Sequence, residues 1–163
     1  MKDSDVSGLF REFADACIRA WAAGGWAVDA LVGRQTREHG DLDLAVDARD
    51  LPRLLVLLGS QGYVTAVDQS PARIELRAPD GRVVDVHPVV FGPDGGGVQE
   101  GLDDTVYRYS PTGFVTGMVA GTQVPSLSAA QQLAFRAGYP PRPVDLHDVA
   151  LLTDLVIEAQ SGG

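Results

Sequence analysis

The sequence predicts a mixed α/β or α+β domain, a mixed β-sheet with helices packed on it, and three observations carry that prediction. An alternating run, "DLDLAV" at 41–46, is followed by further strand-like runs, "YVTAV", "ARIELRA" and "RVVDVHPVVF". Apolar residues at helical spacing come before the first strand and return after residue 128. The order helix, strand, helix, several strands and two helices needs both element types in one core. At 163 residues the chain is expected to form one domain over 1–163, with C-terminal helices at about 128–160.

The elements follow in order. Val6, Leu9, Phe10, Phe13, Cys17 and Ile18 lie near helical spacing, so residues 5–20 read as an amphipathic first helix that "WAAGG" breaks at Gly24 and Gly25. "WAVDALVG" reads as a short helix stopped by Gly33. "DLDLAV" has the period of two of a strand. Asp50 can cap "LPRLLVLLGSQG", where Pro52 is tolerated in the first turn and Gly59 and Gly62 mark the end. The three later runs read as successive strands, the last two joined by a tight "PDG" turn. The segment 92–125 is rich in Gly, Asp and Thr; it predicts a flexible tip at Gly95-Gly96-Gly97 and short strands near 105–109 and 114–120. Ser128 with Gln131 makes a capping-box pattern for "AAQQLAFRAG", and Asp145 can cap "LHDVALLTDLVIEA".

Composition narrows the function. Formal charge is −9, which argues against a polynucleotide partner, whose phosphates need a basic track, and suits a cationic small molecule or metal ions. One cysteine, Cys17, excludes an internal disulfide and a cysteine-based zinc site. No apolar run approaches the roughly 20 residues of a membrane span, and the acidic, amphipathic start is unlike a secretory signal. A soluble, cytoplasmic protein is expected.

The chemistry is expected on two strands. Residues two apart on a strand share a face, so Asp41, Asp43 and Ala45 face one way and Leu42, Leu44 and Val46 the other. In "RVVDVHPV", Val83, Asp85 and His87 share a face opposite Val84 and Val86. Like charges this close repel, more so when partly buried, so the acids call for a positive partner. If the strands are neighbours, three carboxylates converge. Hard oxygen donors of that kind fit Mg²⁺, and two such ions roughly 3.5–4 Å apart can clamp the attacking and leaving oxygens of in-line phosphoryl transfer. A D-x-D pair alone usually marks a solvated strand edge, and Gly-Gly alone a helix stop. Here a Gly-Gly turn that opens a helix, and so offers N–H groups to a phosphate, precedes the acidic strand.

The stretch "GGWAVDALVGRQTREHGDLDLAV" closely resembles the metal-binding region of small antibiotic nucleotidyltransferases, notably lincosamide nucleotidyltransferases and some aminoglycoside adenylyltransferases. The resemblance continues through "DVHPV" and "GYPPRPVDLHDVALL", from about residue 21 to 155. It implies an α+β, polymerase-beta-like nucleotidyltransferase fold and transfer of a nucleoside monophosphate, usually AMP from ATP, to a hydroxyl of a small drug-like acceptor. It implies that Asp41 and Asp43 bind the catalytic Mg²⁺ ions, and that Asp85 is a metal ligand or the general base. It further implies that Gly24 and Gly25 contact the triphosphate, and it suggests homodimerisation to complete the pocket. Arg37 is a candidate to offset phosphate charge. His39 is structural or substrate-adjacent, and His87 is a candidate substrate contact. The acidic loop 92–104 is a candidate acceptor rim.

One position departs from the family. A lysine often precedes the aspartate of the last helix; here Val144 precedes Asp145, with Arg142 two residues earlier as a candidate nucleotide contact. A guanidinium and an ammonium are not equivalent, which puts nucleotide use in question. Two alternatives therefore stand beside nucleotidyl transfer: a repurposed pocket doing acid–base chemistry on a natural-product intermediate without ATP, and the nucleotidyltransferase partner of a toxin–antitoxin pair.

Overall fold

The computed structural model describes residues 1–138, 140 and 142–161. Helix α1 (Asp3–Asp15) buries Val6, Leu9, Phe10 and Phe13, the stripe its spacing predicts. It ends earlier than expected. Cys17 turns left-handed at φ 53°, and Ala20–Ala22 form strand β1 rather than the helix's last turn. Ile18, Ala20 and Ala22 are buried at period two, so burial against the sheet overrides the helical spacing of the preceding residues. Helix α2 (Gly24–Val32) stops at Gly33, which is left-handed at φ 80° as a helix-ending glycine should be.

Strand β2 (Asp41–Asp47) follows, then α3 (Leu51–Ser60), whose Leu54 and Leu58 are fully buried; each such side chain contributes about 1.5–3 kcal/mol. Asp50 sits at the N-cap position without capping. Its backbone is helical there, and its carboxylate instead accepts from the Arg19 amide at 2.8 Å and from the Arg53 guanidinium. Strands β3 (Val64–Gln69), β4 (Arg73–Arg77) and β5 (Val83–Phe91) form the expected meander, with Gly81 at φ 87° in the "PDG" turn.

The segment after β5 is more ordered than the sequence suggests. It forms two hairpins, β6 (Gly97–Glu100) with β7 (Val106–Tyr109), and β8 (Phe114–Val119) with β9 (Thr122–Leu127). β6 and β9 were not anticipated. Gly97 is a buried position of strand β6 rather than part of a flexible tip: a Cβ there would lie 2.4 Å from Val89 Cγ1, so the glycine permits close strand packing. Helices α4 (Ala129–Arg136) and α5 (Pro143–Ser161) close the chain. Ser128 caps α4 by accepting from the Gln131 amide at 3.2 Å, but the Gln131 side chain turns to Ser110 and Arg108 instead of completing the box. Asp145 is inside the first turn of α5, not at its cap, and reaches back to accept from the Arg142 amide at 2.8 Å.

Among the described residues the sheet runs β3-β4-β5-β2-β1-β9-β8, with β6 and β7 extending from β5. β2 pairs with β5 in parallel and with β1 in antiparallel, so the sheet is mixed. One face carries Leu42, Leu44, Val46, Val84 and Val86 into the main core with α1, α2 and α3. On the opposite face Ala45, Val89, Tyr109 and Leu127 pack with Trp21, Phe91, Phe114 and Phe135, and the polar residues of β2 and β5 open beside them. No described helix is long and apolar enough to cross a membrane.

Candidate active site

A cleft of about 540 Å³ opens on that second face. Its walls are the N-terminus of α2 (Gly24 and Gly25), the loop after α2 (Arg37 and His39), Asp41 and Asp43 of β2, and His87 of β5. The hairpin β6–β7 adds Gln99, Tyr107 and Tyr109; α4 adds Phe135 and Arg136; α5 adds Arg142, Val144, Asp145 and Asp148.

Strand register builds the acidic wall. Asp43 pairs with Asp85 and Ala45 with His87 across the parallel β2–β5 ladder, so the shared face expected from the alternation forms. One ligand atom each of Asp43, Asp85 and His87 lies within 4.8 Å of the others. Asp41 stands outside that trio but still feels it: desolvation first, and then the negative charges of Asp43 and Asp85, push its carboxyl up from the ordinary 3.8. Asp85 is not among the residues lining the cleft. The Arg73 guanidinium holds it from behind, with Nε donating to Oδ1 at 3.1 Å and a second nitrogen 3.0 Å from Oδ2. Desolvation still keeps the Asp85 carboxyl above its ordinary value, against the lowering by His87 and Arg73.

The glycine pair has a steric reason. Gly24 is at φ +58°, and a Cβ on it would lie 2.1 Å from Asp43 Oδ2; on Gly25 a Cβ would lie 2.4 Å from His39 Nδ1. Only glycine lets the helix start this close to the acid and the imidazole. No side chain caps this helix, so its first-turn N–H groups are the kind of donors that bind phosphate.

The basic wall is only half as expected. Arg37 lines the cleft, but its Nε and one terminal nitrogen donate to both oxygens of Asp148, at 3.0 and 2.9 Å. Arg142 is likewise held by Asp145, through donors at 2.8 and 3.0 Å, which lowers the Asp145 carboxyl to about 2. Arg136, on α4, also reaches Asp148 at 3.2 Å, and its buried Nε has no hydrogen-bond partner among the described residues. Val144 also lines the cleft and brings no charge to it.

The two histidines differ. His39 is buried, its ring tilted 44° against that of Trp26 with centroids 4.5 Å apart, and bonded through Nε2 to Asp29; burial raises the Asp29 carboxyl, but the bonds from His39 and Thr36 outweigh it and hold it below its ordinary value. His87 faces the acids, and its Nδ1 meets the Gln99 amide at 3.1 Å.

The expected acidic rim does not form. Of residues 92–104 only Gln99 lines the cleft. In β6 the alternation buries Gln99 and turns Val98 and Glu100 outward, while Asp94 bonds the Gly96 amide and Asp103 and Asp104 take left-handed turn positions. Arg73, Gln99, Arg136 and Asp148 belong to the site without being expected from the sequence. Arg73 carried a signal, because Arg73, Glu75 and Arg77 alternate with Ile74 and Leu76 as the acids alternate in β2. Asp148 lies three residues after Asp145 and four before Leu152, all buried on one face of α5, a spacing readable once the helix is placed.

Comparison with known proteins agrees with this architecture. The sequence model of the aminoglycoside-2''-adenylyltransferase family matches residues 5–152. The lincosamide resistance protein of Staphylococcus haemolyticus is 31% identical over 138 residues, covering 85% of this chain and 86% of the relative. A 2''-aminoglycoside nucleotidyltransferase of Escherichia coli is 41% identical over 44 residues, 25% of each protein. The crystal structure of the lincosamide antibiotic adenylyltransferase LnuA, lincomycin-bound, has a TM-score of 0.84 at 28% identity, covering 95% of this chain and 98% of that one. ANT(2'')-Ia in complex with adenylyl-2''-tobramycin shares the fold, with a TM-score of 0.76 at 18% identity over 94% of this chain and 88% of that one. The α+β nucleotidyltransferase fold implied by the resemblance is the one observed, and the chain is an enzyme that belongs to the aminoglycoside-2''-adenylyltransferase family.

Proposed function

We propose that the cleft catalyses Mg²⁺-dependent transfer of a nucleoside monophosphate, AMP from ATP, to a hydroxyl of a small, cationic antibiotic such as a lincosamide or an aminoglycoside. The observation that carries this is the β2–β5 register, which sets Asp43 beside Asp85, with Asp43 against the start of an uncapped, glycine-opened helix. The likeness to lincomycin-bound LnuA supports the acceptor class.

The donor set fits a hard divalent ion. Asp41 and Asp43 offer carboxylate oxygens on one strand face with Asp85 alongside, and desolvation together with the charges of Asp43 and Asp85 already penalises the charged form of Asp41. When bound there, Mg²⁺ neutralises phosphate charge and orients the triphosphate. The chain's own groups then do the rest. The first-turn amides at Gly24 and Gly25 receive phosphate oxygens, and Arg136, whose Nε has no hydrogen-bond partner among the described residues, adds positive charge beside Arg37 and Arg142. The acceptor oxygen bonds to the α-phosphorus, the bond to pyrophosphate breaks, and the hydroxyl proton goes to Asp85, whose raised carboxyl suits a base. Tyr107, Tyr109 and Phe135 give the acceptor an aromatic wall. His39, tied to Asp29, serves by packing against Gly25. As the homodimer that the resemblance implies, a second copy would cover exposed Leu146 and Ile157 of α5.

Two outcomes are expected. Arg73→Met removes the guanidinium that lowers Asp85, so the acid limb of the pH profile of kcat/KM moves to higher pH; an unmoved limb removes Asp85 as the base. Val144→Lys adds an ammonium to the cleft wall and is expected to lower the KM for ATP by about tenfold, the worth of one charged hydrogen bond, with kcat little changed.

A second reading, acid–base chemistry without ATP, is favoured by one observation: Arg37 and Arg142 are already paired with Asp148 and Asp145, and Val144 brings no charge. Mass spectrometry of lincomycin or tobramycin incubated with the protein, ATP and Mg²⁺ separates the two. Gain of one adenylyl group with release of pyrophosphate is expected; an acceptor series left unmodified, with no pyrophosphate formed, favours the second reading.

A further inference from the structure

Behind His87 lies a hydrogen-bond chain that the reaction outlined above does not use. Gln99 is buried, 7% exposed. Its amide nitrogen donates to the Ala72 carbonyl at 3.3 Å and meets His87 Nδ1 at 3.1 Å, while its Oε1 accepts from the Tyr109 hydroxyl at 2.6 Å. The Ala72 carbonyl can only accept, so the NH₂ group must be the one facing it; the flipped amide would set two oxygens against each other. Burial pushes the Tyr109 phenol well above its ordinary value, which keeps that hydroxyl a donor. With the amide so fixed, His87 Nδ1 must accept, and the neutral ring carries its hydrogen on Nε2.

Nε2 is the atom that looks at the acids, 3.7 Å from Asp43 Oδ1 and 3.8 Å from Asp85 Oδ2. A nitrogen bearing hydrogen has no lone pair to give a metal. An Asp–Asp–His trio with ligand atoms this close would otherwise be a mixed nitrogen–oxygen site, of the kind that suits zinc or cobalt better than magnesium. We infer that Gln99 is a positioning residue that holds His87 as an Nε2–H donor toward Asp43 and Asp85, keeping the metal site all-oxygen and selective for hard ions. The selectivity clause rests on the proposed metal-dependent reaction; the tautomer does not.

The test starts with the protein free of metal and nucleotide. Long-range ¹H–¹⁵N correlation spectra of the histidine rings, taken where the rings are neutral and assigned with His87→Asn, are expected to show the Nε2–H form for His87. An Nδ1–H form overturns the inference without touching the nucleotidyltransferase reading. Gln99→Glu puts acceptors only on Nδ1 and is expected to place a hydrogen there, so that Nε2 can give up its own hydrogen to a metal ion. Titration of the metal-free variant with Co²⁺ is then expected to show roughly tenfold tighter binding than wild type, the scale of effects from groups behind metal ligands, with Mg²⁺ affinity not improved. A switched tautomer with an unchanged Co²⁺ to Mg²⁺ ratio overturns the selectivity claim. Should Gln99→Glu not fold, Gln99→Met, which leaves Nδ1 without a polar neighbour on that side, is expected to give a tautomer mixture; retention of a single Nε2–H form would show that Gln99 does not position the ring.

Discussion

Asp41→Asn is expected to slow nucleotidyl transfer by about three orders of magnitude, ~4 kcal/mol of lost charge stabilisation, while leaving the metal-free protein slightly more stable at neutral pH. The two effects share one cause. Desolvation and the charges of Asp43 and Asp85 raise the Asp41 carboxyl in the fold. A carboxyl raised on folding holds its proton more tightly in the native chain, so its contribution is stabilising below its ordinary pKa of 3.8 and is lost as the pH rises through the raised value. At neutral pH the wild-type acid is therefore a cost, and the amide relieves it. Thermal unfolding of the metal-free proteins is expected to show the variant's advantage at neutral pH and its disappearance in acid. With Mg²⁺ added the order reverses, because only the wild type is stabilised by the ion. A variant that kept full transfer activity would remove Asp41 from the site.

Gly24→Ala is expected to cost about 1–3 kcal/mol of stability through its left-handed backbone and, separately, about 100-fold in transfer. The second loss follows from place: the new Cβ would stand 2.1 Å from Asp43 Oδ2, and a displacement of about 1 Å in a catalytic group can cost that much. Gly33→Ala separates the two. Gly33 is also left-handed, at φ +80°, but has nothing within 4 Å of its Cβ position. Its alanine variant should lose stability and keep activity, whereas equal activity losses in both variants would attribute the Gly24 effect to strain alone.

The parts of this site legible in the sequence are those in which one residue type suffices. Alternation placed Asp41, Asp43, Asp85 and His87 on their faces, because strand periodicity is local. The glycine pair announced a helix start, although the reason for it, Asp43 and His39 pressed against the turn, needed the fold. β1 escaped notice because three residues are too few to show a period, and β9 because Pro125 interrupts it. Arginine partners were the hardest to read. Arg37 and Arg142 read as candidates for phosphate, but Asp148 comes within reach of Arg37 only once α5 packs on the site, and the first turn of α5 sets Asp145 on Arg142, three residues before it. Gln99 lies in a Gly- and Asp-rich stretch that does not read as a strand, although the polar contribution of that stretch to the cleft is its amide.

The central claim is that the acidic face of β2 and β5 takes its missing positive charge from Mg²⁺ delivered with a nucleoside triphosphate. The most direct measurement is calorimetric titration of ATP into the purified protein with and without Mg²⁺. Binding that requires the metal is the expected result, and it should weaken in Asp41→Asn. An absence of ATP binding in both conditions would contradict the claim and leave Val144 as the mark of a lost triphosphate site.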